Sequence, residues 1–156
     1  KIIKKEFSPH IYKTKYKWIS FKKDETSKLP IQQADFVISG GKGLKKPESF
    51  KYLYQIAGRL NGAVGATRAV VDMGWIDYSH QVGLSGKTVN PTLYIAVGIS
   101  GAVQHIAGMA SSKYIISINK DPEAPILKIS DLGIVADATD ILPLLAKKLN
   151  SGDKNE

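Results

Sequence analysis

Cysteine is absent from this 156-residue chain, which excludes disulfides, thiolate nucleophiles and cysteine-based metal sites. Histidine is scarce as well. His10, His80 and His105 stand far apart with no His-x-x-x-His spacing, so no metal site is expected. No apolar run approaches the roughly 20 residues that span a bilayer, and no signal peptide is visible. No Ser/His/Asp set and no pair of carboxylates stands out, which leaves hydrolysis without support. What remains is an ordinary globular composition, 43% hydrophobic and 23% charged. The length suits one domain with a core and is too short for two large ones. The first residue is Lys1 rather than Met, as expected of a fragment, a processed chain or an expressed domain.

Acidic residues are outnumbered, giving a net charge of +8, but the excess is local. Residues 1–33 hold nine lysines against Glu6, Asp24 and Glu25, a net +6, while the rest is nearly balanced. A basic lead-in can bind an anionic partner such as nucleic acid, yet solvated lysines on an edge or linker are the commoner cause. Lys15–Lys22 alternates with period two and carries aromatics, which predicts one exposed edge strand in a peripheral segment closed by Pro30.

From Ala34 the pattern changes to short buried runs, each followed by a turn and a helical segment. Strands are expected at Ala34–Ser39, Ala63–Ala66, Leu93–Val97, Tyr114–Ile118 and Gly133–Ala136. A helix opens at Pro47, repeats Phe50, Leu53, Tyr54, Ala57 and Leu60 at helical spacing, and stops at Asn61-Gly62. Shorter helices are expected at Ala69–Trp75 and Ala102–Met109, and a last one at about Thr139–Leu149. Asp77–Asn90 reads as a long polar loop and Asp121–Pro125 as a proline-broken one. The order predicts an α/β domain over 34–150, Rossmann-like and doubly wound, with a mostly parallel sheet and helices on both faces. Residues 1–33 are then a lead-in and 151–156 a polar tail.

Ligands of such sheets sit beyond the carboxyl ends of the strands. Those ends carry Gly40-Gly41-Lys42-Gly43, Thr67-Arg68, Gly98 to Gly101, Asn119 and Asp137. The central unit, Pro91–Met109, runs strand, glycine turn, helix. That sequence places a phosphate on free backbone N–H groups, or serves only as a tight turn. Asp137 suits a ribose or adenine edge, and equally the N-cap of the last helix. Asn119 suits a nucleotide edge or a turn. Arg68 offers a fixed positive charge over a ring or phosphate. Ser85 and Gly86 lie in Gln81–Lys87, where a hydroxyl and backbone N–H groups face a heterocycle. The Gly-Lys-Thr that ends this loop lacks the first glycine of a P-loop, so a kinase or ATPase is a poor reading. His105 is either a buried, satisfied histidine or a protonated group that stabilises negative charge on a neighbouring redox ring.

The segments GGKGL, AVGATRAVVDMGW, QVGLSGKTVNPTLYIAVGISGAVQHIAGM, INKDPEAPI and DLGIVAD together resemble the FAD-binding domain of the electron transfer flavoprotein alpha subunit over Ala34–Leu149. The resemblance implies a Rossmann-like domain cradling FAD, closed by a beta subunit in a heterodimer. It implies an electron carrier between flavin dehydrogenases and a redox acceptor, without substrate turnover of its own. The expected compartment is the cytoplasm, or the mitochondrial matrix in a eukaryote. Flavin-side contacts fall on Thr67, Arg68, Val82, Gly83, Leu84, Ser85 and His105. The pyrophosphate and ribityl region falls on Lys42, Ser100, Gly101, Ala102, Val103 and Gln104, and the adenosine end on Asn119, Asp137 and Ala138. By the same resemblance Ser85 bonds near the flavin N5, while Arg68 and His105 favour a negatively charged flavin and one-electron exchange. Lys42 stands where many members carry arginine, Leu84-Ser85 where Gln-Thr is frequent, and Thr67 where serine is. Without the partner, FAD binding is expected to be weak. The alternative is a Rossmann-like NAD- or nucleotide-binding domain with no electron-carrier role.

Overall fold

A computed structural model describes residues 30–151, together with 3–5, 17 and 19. The edge strand expected at Lys15–Lys22 and the tail after Ser151 lie outside the described residues. Five strands, β1 (Phe36–Gly40), β2 (Ala63–Ala66), β3 (Leu93–Val97), β4 (Tyr114–Asn119) and β5 (Leu132–Val135), form one parallel sheet in the order β2-β1-β3-β4-β5. The class predicted from the repeated strand–helix pattern is the one found, a doubly wound α/β domain.

Parallel strands buried on both faces read as continuous apolar runs, which is why the four inner and β2-side strands were legible. Their pleat divides the core in two. Phe36, Ile38, Val64, Ile95, Val97 and Ile118 face α1 (Phe50–Arg59) and α5 (Ala138–Ser151). Val37, Tyr94, Ala96 and Ile115 face the other way, onto Val82, Val89, Ile99, Met109 and Ile126. That second face is covered by turns and by the short helices α3 (Val103–Ile106) and α4 (Pro125–Lys128). Helices lie on both faces, but only one face carries long ones. α1 stops where Asn61 turns left-handed (φ 50°) and the Gly62 N–H closes back onto the Ala57 carbonyl at 2.8 Å.

Strand and helix ends shift by one to three residues from expectation, as for β1, β5 and α1, whose first turn Pro47–Ser49 is 3-10, and three helical segments differ further. The helix expected at Ala69–Trp75 starts one residue earlier, as α2 (Arg68–Asp72). The segment Ala102–Met109 holds only one helical turn, continued by turns. α4 occupies part of what read as a proline-broken loop, because Pro125 stands at the first helical position, where a missing N–H costs nothing.

The strand order reverses between β1 and β3, so the chain leaves their carboxyl ends in opposite directions and opens a crevice there. Its floor is glycine packed on glycine. The Gly41 N–H bonds the Val97 carbonyl and the Gly43 N–H bonds the Gly98 carbonyl, both at 2.9 Å. A Cβ on Gly43 would lie 2.6 Å from the Gly98 Cα.

Candidate functional site

Above this floor is a cleft of about 700 Å³, within the range of small-molecule and cofactor sites. Gly41 to Gly43 and Gly98 to Ser100 form its centre, Thr67, Arg68, Val82, Gly83 and Ser85 one end, and Asn119, Lys120, Asp137 and Ala138 the other. Ala102, Gln104 and His105 line it from the turn after β3. Segments far apart in sequence meet here because a parallel sheet delivers every strand's carboxyl end to one side. Of the residues expected at the site, Leu84, Gly101 and Val103 do not line the cleft. Leu84 and Val103 are exposed, and Gly101 packs its backbone against Ile126.

The lining carries Lys42, Lys45, Arg68 and Lys120 against Asp137 alone, so the cleft favours an anion. No local sequence signal marks Lys45 as a site residue. It sits at φ 65° after the Lys42–Leu44 turn, and its Nζ donates to Asp137 Oδ2 at 2.6 Å. Asp137 also accepts from the Thr139 N–H (2.9 Å) and hydroxyl (2.6 Å), capping α5. The bonds from Lys45 and Thr139 hold its carboxyl well below the usual range, and the Lys45 ammonium is correspondingly raised. Because the folded value is depressed, this stabilisation is complete above the ordinary carboxylate range and is lost as pH falls through the strongly acid range. Asp137→Ala is expected to lower Tm at neutral pH, and Asp137→Asn to lower it less, since the amide keeps the cap but loses the Lys45 pair. Equal Tm losses for the two variants would deny the capping role.

Asn119 is held at both ends of its amide, donating to the Ile99 carbonyl at 2.7 Å and accepting from the Asp121 N–H at 3.0 Å. It braces the β3 and β4 ends against one another. Arg68 pairs with Asp72 one turn along α2, at 3.2 Å on an exposed surface, a weak tie that leaves the guanidinium available. Ser85 Oγ accepts from Gln81 Nε2 at 3.0 Å, so its own O–H remains to be donated. Thr67 Oγ1 is buried at the wall without a partner.

His105 resolves the two options open in the sequence. It is 5% exposed, with Nδ1 bonded to the Val82 carbonyl at 3.1 Å and Nε2 to the Tyr94 hydroxyl at 3.0 Å. A carbonyl only accepts, so the ring proton is on Nδ1 and Nε2 accepts from Tyr94. Burial lowers its pKa to about 4. At neutral pH the imidazole of this chain is thus the neutral, satisfied one of the two alternatives, and it lines the cleft.

A dinucleotide makes definite demands, and the residues present meet them. Among the described residues no acceptor meets the N–H groups of Ser100 through Gln104, so donors are left for a pyrophosphate. Glycines keep the floor low, and cations flank it. The fold and cleft define a doubly wound dinucleotide-binding domain. Residues 30–110 match the family described as the electron transfer flavoprotein FAD-binding domain, and the chain belongs to that family, whose cofactor is FAD. It is 48% identical over 133 residues to the electron transfer flavoprotein subunit alpha of Thermoanaerobacterium thermosaccharolyticum, covering 85% of this chain and 40% of that protein. It is 50% identical over 132 residues to the mitochondrial subunit alpha of Oryza sativa subsp. indica (85% and 37%). With the subunit alpha of Pseudomonas aeruginosa identity reaches 55% over 117 residues (75% and 38%). The chain thus spans about two fifths of the length of these relatives. Among the described residues no helix is long and apolar enough to cross a membrane.

Proposed function

We propose that this chain is the FAD-bearing part of an electron carrier, an alpha subunit paired with a beta subunit, passing electrons from flavin dehydrogenases to a redox acceptor. The cleft at the switch point, with its glycine floor, unmet N–H groups and four cationic side chains, is the observation that carries this reading. The flavin end lies by Thr67, Arg68, Val82, Gly83, Leu84, Ser85 and His105. Lys42 and the Ser100–Gln104 turn hold the pyrophosphate and ribityl region, and Asn119, Asp137 and Ala138 the adenosine end. Bound FAD supplies the redox chemistry. Arg68 stabilises negative charge near the ring, Ser85 donates its free O–H, and the buried wall behind Thr67 and Val82 excludes water from one side. The compartment is the cytoplasm, or the mitochondrial matrix in a eukaryote.

Leu84 and Val103 adjoin cleft residues in sequence and stand 69% and 74% exposed, which suits a partner closing over the rim. FAD is expected to bind the lone chain with a Kd weaker than about 1 μM, an affinity of about 8 kcal/mol, and tighter once the beta subunit is added. Lys42→Ala and Arg68→Ala should each weaken binding roughly tenfold, near the worth of one hydrogen bond to a charged group, about 1.5 kcal/mol. Flavin fluorescence titration followed by dialysis checks both points. Stoichiometric flavin surviving dialysis on the lone chain would refute the need for a partner. No binding even with the beta subunit would refute the FAD site.

A further inference from the structure

At the Asp137 end of the cleft one lysine stands where packing does not explain it. Lys45 follows the Lys42–Leu44 turn in a left-handed backbone at φ 65°, which glycine adopts freely and lysine only with strain. From this loop its ammonium reaches the start of α5, 92 residues on, and donates to Asp137 Oδ2 at 2.6 Å. The two side chains are 54% and 25% exposed, and an ion pair this open to water adds little stability. Backbone strain of this kind gathers at ligand sites, and both residues line the cleft.

The hydrogen bonds still open at this pair can be counted. Asp137 Oδ1 accepts from the Thr139 N–H and from the Thr139 hydroxyl, which fills its two positions. Oδ2 accepts from Lys45 alone, so one acceptor position remains there. Lys45 Nζ carries three hydrogens. One goes to Oδ2, and the Thr139 hydroxyl oxygen, at 3.5 Å, is the other partner among the described residues. One hydrogen is left. A free acceptor and a free donor therefore stand side by side, on atoms 2.6 Å apart. A vicinal diol offers the matching set, one hydroxyl donating while its neighbour accepts. A single hydroxyl would use half of the pair, and a phosphorylated sugar would set an anion against the carboxylate.

We propose that Lys45 is a specificity-determining residue of the cleft, reading the free ribose diol of an adenine nucleotide jointly with Asp137. One hydroxyl donates to Asp137 Oδ2, the adjacent one accepts from Lys45 Nζ, and the ion pair stays closed beneath them. The proposal rests on the FAD reading for the ligand and extends it to a residue that reading leaves unused. Lys45 makes the cleft choose a dinucleotide with an unmodified adenosine ribose over a flavin mononucleotide. It also sets that dinucleotide above nucleotides whose ribose is deoxygenated or phosphorylated. Sites built to bond a hydroxyl reject the analogue that lacks it, because the site's own polar groups are left unpaired.

The test is isothermal titration calorimetry of the full chain with FAD, FMN, ADP, 2′-deoxy-ADP and 3′-deoxy-ADP, for the parent, Lys45→Met and Lys120→Met. Each deoxy analogue should bind the parent about tenfold less tightly than ADP, as expected for one hydrogen bond to a charged group. In Lys45→Met one of these two penalties should vanish and the other persist, because the lysine serves one hydroxyl and Asp137 the other. FAD should bind this variant about tenfold more weakly, while FMN, which has no adenosine, binds both proteins alike. Lys120→Met takes the same charge from the cleft lining and should keep both penalties. Lys45→Gly relieves the left-handed turn, so it should bind FAD as weakly as Lys45→Met with a Tm no lower. Both penalties persisting in Lys45→Met would overturn the proposal and reduce Lys45 to a general charge. A parent that binds ADP and its analogues equally, or an equal loss of FAD and FMN, would overturn it too. A ribose preference among the ADP ligands without any uptake of FAD would leave the diol reader standing and overturn the cofactor reading instead.

Discussion

Gly98→Ala is expected to destabilise the chain by about 2–4 kcal/mol, combining roughly 1 kcal/mol for a left-handed backbone with about 1–3 kcal/mol for overpacking. Gly98 sits at φ +61°, and an added Cβ would lie 2.8 Å from both the carbonyl carbon and the Cα of Gly43. Backbone cannot rotate aside as a side-chain tip can. Relief requires the β1 and β3 loops to part, and that strains the Gly43 N–H bond to the Gly98 carbonyl and the Gly98 N–H bond to the Ile118 carbonyl. The same movement lifts the floor of the cleft, so FAD affinity should fall together with stability. Gly58→Ala is the control. This glycine lies inside α1 with nothing within 4 Å of an added Cβ, and the change should stabilise by about 0.5–1 kcal/mol. Urea unfolding of the three proteins, with equal slopes, gives the comparison. A Gly98→Ala midpoint matching the parent would mean that the two loops are not pressed together in solution.

Four strands were legible because burial on both faces writes a mostly apolar run into ADFVIS, AVGA, LYIAV and YIISI. The strand ends were legible as a set because parallel topology collects them on one side, whatever each residue does there. The partners that decide each residue's chemistry were not legible. Lys45 and Asp137 are 92 residues apart, and nothing local marks Lys45 except one more lysine after a glycine turn. Tyr94 reads as an apolar strand residue, and its hydroxyl gains meaning only through His105 on the following turn. α4 was lost because proline reads as a breaker unless the helix start is already known. For Asp137 local reasoning had both halves, since the carboxylate that caps α5 also lines the cleft.

Acid should weaken the fold through His105. Unfolded, the imidazole titrates near its ordinary 6.5, and folded, burial lowers it to about 4. Between those values the unfolded chain binds more protons, so stability falls as pH falls from about 6.5 to about 4, and levels off below. The shift of about 2.5 units corresponds to roughly 3 kcal/mol, a large share of the stability of a domain this size. His105→Gln leaves Tyr94 and Val82 differently bonded and should be less stable at neutral pH, but it has nothing to titrate. The discriminating quantity is therefore the change with pH, not the midpoint. Chemical unfolding at several pH values should show the parent losing about 3 kcal/mol across this window, with that loss absent in the variant. The same numbers set what an occupant must supply. One negative charge within about 4 Å, at an effective dielectric of about 20, contributes about 4 kcal/mol. That is about three pKa units, which would bring His105 to about half protonation near neutral pH. A parent chain whose stability does not change across the window would show that His105 is not buried in solution as it is here, and the charge response built on that burial would go with it.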